Sequence, residues 1–236
     1  MQERYLGDSH DFIKYALLRH LNARLGVRLG VNWYLTHPHH VDRADSNDGE
    51  KRHHLTGKGW AETDPDLFAK IARFDAPESR NLSNIAAWEI LPGNTLYHDA
   101  VLSAVDREPW HVAAVEGLAK SDLVFLDPDN GFEIKSMTKR TAPKYAFYKE
   151  AADYLQTGKT VVGIQFARQC DPVARAREVR QTLSDVCGGG MALPVIRGRL
   201  APNLLFLTVA PEDQCQRVSQ ALMSFSSQCT KAEIVD

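Results

Sequence analysis

The chain has 236 residues, with 28 basic and 30 acidic side chains and a formal net charge of −2. Hydrophobic residues make up 44% and charged residues 25%, ordinary values that exclude a disordered, collagen-like or coiled-coil chain. They also exclude a broadly basic nucleic-acid binder, although a local basic patch stays compatible with them.

At roughly 100–200 residues per domain, the length suits one large domain or two small ones. No Ser- or Pro-rich linker and no internal repeat divides the chain, so a single domain over residues 1–236 is expected. No apolar run approaches the ~18 residues of a membrane span, and residues 1–8 lack the apolar core of a signal peptide. Cys170, Cys187, Cys215 and Cys229 form no C-x-x-C pair. The expectation is a cytoplasmic protein outside the membrane; the oligomeric state is left open.

The first pattern in chain order is helical. Phe12, Ile13, Tyr15, Ala16, Leu17, Leu18, Leu21 and Leu25 recur at spacings of three and four, after Asp8 or Ser9 as an N-cap and before Gly26 as a stop. Residues 27–35 read as a strand. Residues 37–59 are polar, rich in His, Asp, Arg and Gly, and read as a long loop insertion. Asp64 and Pro65 open a helix carrying Leu67, Phe68, Ile71 and Phe74. Residues 83–88 and 96–105 read as helices, and 110–118 is ambiguous.

The clearest strand is 123–126, a continuous apolar run that predicts burial on both faces. A helix over 144–155, a strand over 160–166 and a helix over 172–186 follow. Strands over 192–196 and 203–209 flank a short basic turn with Arg197, Gly198, Arg199 and Pro202. A helix over 212–225 precedes a polar tail. This alternation predicts an α/β sandwich with a mostly parallel sheet and a late antiparallel strand pair.

The strongest chemical constellation is Asp127-Pro128-Asp129-Asn130-Gly131-Phe132. It follows a buried strand, and open α/β sheets bind ligands outside the carboxyl ends of their strands. Asp127 would project from the strand end, and Phe132 offers a flat stacking face. Asp, Pro, Asn and Gly are also plain turn formers.

A second constellation is Gly7-Asp8-Ser9-His10-Asp11-Phe12-Ile13-Lys14-Tyr15, where Asp8, Asp11 and Lys14 lie one helical turn apart. A capped amphipathic helix with a solvated charge pair has the same spacing. His37, His39, His40, His53 and His54 are five of nine histidines and mingle with Asp42, Asp45, Asp48 and Glu50. These are metal-ligand types, but they have no fixed ligand spacing, and a mobile polar loop is the plainer reading. Glu133-Ile134-Lys135 matches the E-x-K of one nuclease class, with awkward spacing to Asp122 or Asp127. No P-loop, dinucleotide fingerprint or G-x-S-x-G elbow is present.

These motifs resemble the S-adenosylmethionine-dependent methyltransferases, in particular the bacterial large-subunit ribosomal RNA adenine-N6 methyltransferase family. Its G-N-H-x-D-x-x-K-H segment is similar to residues 7–15. Its D-P-P-Y loop is similar to Asp127-Pro128-Asp129-Asn130. Its P-G-S segment is similar to Leu91-Pro92-Gly93-Asn94. The start and the loop are more similar still to a bacterial group of unassigned activity with G-D-x-x-D-x-x-K-Y and D-P-D-N-G. The resemblance departs at the end of the first strand, where a Gly-rich turn is replaced by Thr36-His37-Pro38.

The resemblance implies a Rossmann-like, methyltransferase-type three-layer sandwich and S-adenosylmethionine as cofactor. It implies N-methylation of an exocyclic amine on a nucleic-acid base, DNA or RNA. Asp127, Pro128, Asp129 and Asn130 would be catalytic. Phe132, Lys135 and Arg52 would bind the substrate, and Asp8, His10, Lys14, Thr36 and His37 the donor. No metal is implied. Two other readings stand beside it. One is a metal-dependent nuclease or phosphodiesterase using Asp8, Asp127, Asp129 and the histidines. The other is a degenerate methyltransferase fold that serves as a binding module.

Overall fold

The computed structural model describes residues 1–41, 51–188 and 193–235. Helix α1 (Ser9–Leu25) begins where the extended Asp8 turns its carboxylate onto the N–H groups of His10 and Asp11. It ends at Gly26, whose φ of 67° is the left-handed conformation that a side chain disfavours. Strand β1 (Leu29–Asn32) follows, then the short helices α2 (Pro38–Val41), α3 (Pro65–Ile71) and α4 (Ser83–Ala87). Asp64 caps α3 by accepting from Leu67 N. Strand β2 (Leu96–His98) and helix α5 (Arg107–Gly117) lead to β3 (Leu123–Leu126).

After the acidic loop come β4 (Gly131–Phe132), β5 (Tyr145–Ala146) and α6 (Tyr148–Gln156). Strand β6 (Thr160–Ala167), helix α7 (Pro172–Val186) and strands β7 (Val195–Gly198) and β8 (Asn203–Val209) follow. Helix α8 (Cys215–Gln228) and strand β9 (Ala232–Val235) complete the described chain.

The main sheet has seven strands in the order β2-β1-β3-β6-β8-β7-β9. The pairs from β2 to β6 are parallel; β8 runs antiparallel to β6 and to β7, and β9 antiparallel to β7. Five strands therefore share one direction, and only β8 and β9 oppose it. The small parallel pair β4–β5 stands apart. This is an α/β fold with a mostly parallel sheet, compatible with a Rossmann-like arrangement.

Alternate residues of each strand feed two separate cores, as the two-residue period of a strand requires. Leu123 and Phe125 join Phe12, Leu17, Leu21, Val218, Leu222 and Phe225, residues of α1 and α8, on one face. Val124 and Leu126 join Trp110, Tyr154, Val179 and Leu183, from α5, α6 and α7, on the other. Each fully buried Leu, Phe or Val contributes roughly 1.5–3 kcal/mol, so β3 is held from both sides. Among the described residues, no helix is long and apolar enough to cross a membrane.

The structure corrects several local expectations. Residues 96–105, expected to be helical, contain β2 and a bridge between Leu35 and Val101. Strand β2 exists through its register with β1, with Gly30 opposite Leu96 and Asn32 opposite His98. Tyr145 and Ala146, expected in a helix, pair with Gly131 and Phe132. Residues 110–118 are helical as part of α5. Arg197 and Gly198 belong to β7 rather than to a turn, and the polar tail supplies β9. Within the 37–59 insertion, α2 and a 3-10 turn at His53–Leu55 are ordered. Asp42, Asp45, Asp48 and Glu50 lie outside the described residues.

Candidate functional site

The carboxyl ends of β1, β3 and β6 open on one side of the sheet, the edge where ligands bind in folds of this kind. A cleft of about 380 Å³ lies there. The N-terminal turn of α1 supplies Asp8, His10, Asp11 and Lys14, and the loop after β3 supplies Asp127, Pro128, Asp129 and Asn130. The two constellations read from the sequence are thus walls of one cleft.

Their junction is a buried charge cluster. Lys14 Nζ lies 3.0 Å from Asp11 Oδ1 and 2.8 Å from Asp127 Oδ1. Gly7 N donates to Asp11 Oδ2 at 2.9 Å. Asp127 N donates to Asn32 O at 3.0 Å, which fixes the carboxylate at the end of β3. Apart from the Lys14 ion pair, neither Asp127 oxygen has a hydrogen-bond partner among the described residues, although the residue is fully buried. A buried acceptor left unsatisfied costs about 1–3 kcal/mol.

Burial pulls the Lys14 ammonium toward losing its proton, but the charges of Asp127, Asp11 and Asp8 outweigh it and hold its pKa above the ordinary lysine value. Lys14 is therefore a fixed cation, not a base. Burial raises Asp11 to about 6 against the pull of Lys14, with the charges of Asp8 and Asp127 adding to the rise. Burial also acts to raise Asp8, but its hydrogen bond and charge contact with His10, together with Lys14, bring it below the ordinary value.

Asp129 is engaged differently. Its Oδ1 lies 3.2 Å from the Met1 amine. Its Oδ2 accepts from Gln2 Nε2 at 3.0 Å and from Thr36 Oγ1 at 3.3 Å. Burial is outweighed by the Met1 amine, Lys144 and Gln2, so Asp129 stays below the ordinary carboxylate value. The Met1 amine also donates to Tyr34 O at 2.7 Å, and Thr36 N donates to Met1 O at 2.9 Å. Met1 and Gln2 thereby pack against the end of β1.

Other residues singled out in the sequence lie elsewhere. Phe132 is only 1% exposed, stacked on Tyr148 at 4.9 Å, with its N–H given to Gln165 Oε1. Gly163 makes room for it, since a Cβ there would meet Phe132 Cζ at 2.4 Å. Phe132 thus anchors the acidic loop to β6 and presents no face to the cleft. Arg52 donates to Gly7 O and Leu6 O, each at 2.9 Å, and braces the turn before α1. Lys135 is exposed, and neither it, Thr36 nor His37 lines the cleft. His37 stacks with His39, and the fully buried His54 pairs with Ser9 Oγ. Among the described residues, no group of three or more His, Cys, Asp or Glu is placed to hold a metal ion.

Lys51, Phe166, Arg168 and Pro202 also line the cleft and had no local sequence signal. His10 Nε2 lies 3.0 Å from Pro202 O, and its ring meets Phe166 edge-on at 5.2 Å. Arg168 extends its guanidinium over Phe166, 5.1 Å from the ring centre. Two non-glycine residues with positive φ flank the site, Tyr34 (φ 44°) after β1 and Gln169 (φ 51°) after β6. Such backbone strain concentrates at functional sites.

Of the five donor contacts implied by the sequence resemblance, three are brought to the cleft and two are not. Asp8, His10 and Lys14 line the cleft, but Thr36 is bonded to Met1 and Asp129, and His37 is not among the lining residues. Ligand sites span about 300–1,000 Å³. The cleft's 380 Å³ lies at the small end of that range. No protein-family model, curated protein or solved structure matches the chain.

Proposed function

We propose that the cleft binds an amine-bearing nucleobase and that the chain acts on that amine. One observation carries the reading: the buried Asp127 carboxylate, pinned by Lys14 through one oxygen, has no partner for the other and lines a cleft at the carboxyl edge of the sheet. A carboxylate is an acceptor only, so it calls for an N–H donor. Lys14 stays charged, and Asp127 keeps a counter-ion in the absence of ligand. An exocyclic amine satisfies the open oxygen; a ring carbonyl in the same place sets acceptor against acceptor.

Methyl transfer from S-adenosylmethionine is a second reading of the same site. It is favoured by the acidic Asp127-Pro128-Asp129-Asn130 loop after a buried strand and by the reversed β8 beside β6.

The test is calorimetry with adenosine and inosine, which differ in amine against carbonyl at one ring position. A hydrogen bond to a charged group is worth about 1.5–3 kcal/mol, so adenosine is expected to bind at least about tenfold tighter. Asp127→Asn, which can donate, is expected to erase or reverse that preference. Equal binding of the two nucleosides, or no binding of adenosine at millimolar concentration, overturns the reading. Binding of S-adenosylmethionine that is lost in Asp8→Ala would support methyl transfer.

A further inference from the structure

We infer that the ligand carries a phosphate, bound by Lys51 and Arg168, so that the cleft takes a free nucleoside monophosphate. This rests on the amine reading above and extends it to the other end of the ligand.

The cleft has a direction. Its floor is acidic and buried, with Asp127, Asp11 and Lys14 lining it at no more than 7% exposure each. Its outer part is basic: Lys51 is half-buried and Arg168 is exposed. Among the described residues, neither Lys51 nor Arg168 makes an ion pair with a carboxylate. The three other lining cations are committed, Lys14 to Asp11 and Asp127, and the Met1 amine and Lys144 to the charge of Asp129. Arg168 is held by its contact with Phe166, which leaves its N–H fork unspent; a guanidinium fork matches phosphate oxygens in geometry as well as in charge.

The N-terminus of α1 offers no competing anion site. The first N–H groups of α1 are taken, Ser9 N by Lys51 O at 2.7 Å, and His10 N and Asp11 N by the Asp8 carboxylate. A phosphate is repelled by the floor and held at the mouth, while an amine is drawn to the floor. A ligand with both ends, one of them a flat amine-bearing ring, is a nucleotide. The 380 Å³ volume admits one such unit.

The experiment compares adenosine, adenosine monophosphate and a short single-stranded oligoadenylate by calorimetry at fixed salt, in the wild type and in Lys51→Gln/Arg168→Gln. The monophosphate is expected to bind at least tenfold tighter than adenosine. The double variant is expected to remove that advantage, bringing the monophosphate to within a few-fold of adenosine. Equal affinity of adenosine and the monophosphate overturns the phosphate inference and leaves the amine reading standing. So does a monophosphate advantage that survives in the double variant. An oligoadenylate that binds more than tenfold tighter than the monophosphate overturns the free-nucleotide assignment in favour of a strand. Absence of binding by all three overturns the amine reading and this inference with it.

Discussion

Replacing Lys14 by methionine keeps the length and packing of the side chain and removes its charge. Lys14 is 9% exposed, and its partners Asp11 and Asp127 are 5% and 1% exposed. Two buried carboxylates thus lose their shared counter-ion. Breaking a buried ion pair by removing one member costs about 3–5 kcal/mol. Each kcal/mol lowers Tm by about 2–4 °C in a domain of this size, so the expected drop near neutral pH is roughly 6–20 °C. The loss has a pH signature. Lys14 pulls Asp11 down toward its value of about 6, so without the ammonium Asp11 titrates higher. A carboxylate raised above its unfolded value adds stability at low pH that is lost as pH rises through the folded pKa. The gap between variant and wild type therefore narrows on acidification, by up to about 1.4 kcal/mol per pH unit while one carboxylate takes up its proton. Thermal and urea unfolding followed by circular dichroism, with Lys14→Arg as a charge-keeping control, measures both quantities. A loss below about 1 kcal/mol, the range of exposed pairs, or a gap that widens as pH falls would refute the reasoning.

Three further outcomes follow from the same geometry. Asp11, raised to about 6, contributes stability below its unfolded value of 3.8 that is lost as pH rises through about 6. His54, lowered to about 4 mainly by burial, acts in the opposite sense, giving stability above 6.5 that is lost as pH falls through about 4. Asp11→Asn removes the first contribution and leaves the second, so urea unfolding should show a steeper loss between pH 7 and 5 than in the wild type; parallel profiles would contradict the assignment. Gly163→Ala places a Cβ 2.4 Å from Phe132 Cζ, and overpacking of this kind costs about 1–3 kcal/mol. Phe132→Leu should recover part of that loss, and a double-mutant cycle with no coupling would break the link. Arg107 pairs with the buried Glu150 through Nε at 2.7 Å and Nη2 at 2.8 Å, so Arg107→Gln should lower unfolding free energy by about 3–5 kcal/mol. A loss within the error of urea unfolding would place that pair among the inert ones.

The parts of the fold readable from the chain were those in which local chemistry and tertiary context agree. Asp8 and Gly26 bound α1 as their side-chain and backbone preferences dictate, and the apolar run of β3 is buried on both faces. Strands β2 and β9 escaped because they are made by their neighbours. Leu96–His98 is extended only through its pairing with β1, and Ala232–Val235 only through its pairing with β7. The site divides in the same way. Asp127 stood out through its position after a buried strand, whereas the spacing of Asp8, Asp11 and Lys14 is equally that of a capped helix with a solvated charge pair, and only the fold buries Asp11 and Lys14 beside Asp127. Lys51, Phe166 and Arg168 reach the cleft from separate segments, and no short motif marks them. Phe132 looked available because its sequence neighbours are polar; the space that receives it is left by Gly163, thirty-one positions on, which no local pattern encodes.

Strand β6 works on both faces of the sheet at its carboxyl end. Gln165 receives the N–H of Phe132 and so tethers the end of the acidic loop, while Phe166 and Arg168, next along the same strand and just beyond it, form part of the cleft wall. Neighbouring residues of an extended strand point to opposite faces, so loop and wall hang from one strand on its two sides. A residue inserted into or deleted from β6 shifts its pairing with β3 and β8 by one position and exchanges the two faces, so tether and wall are lost together. The tie between loop and wall is thus written into the centre of the sheet, the part of the molecule least able to drift.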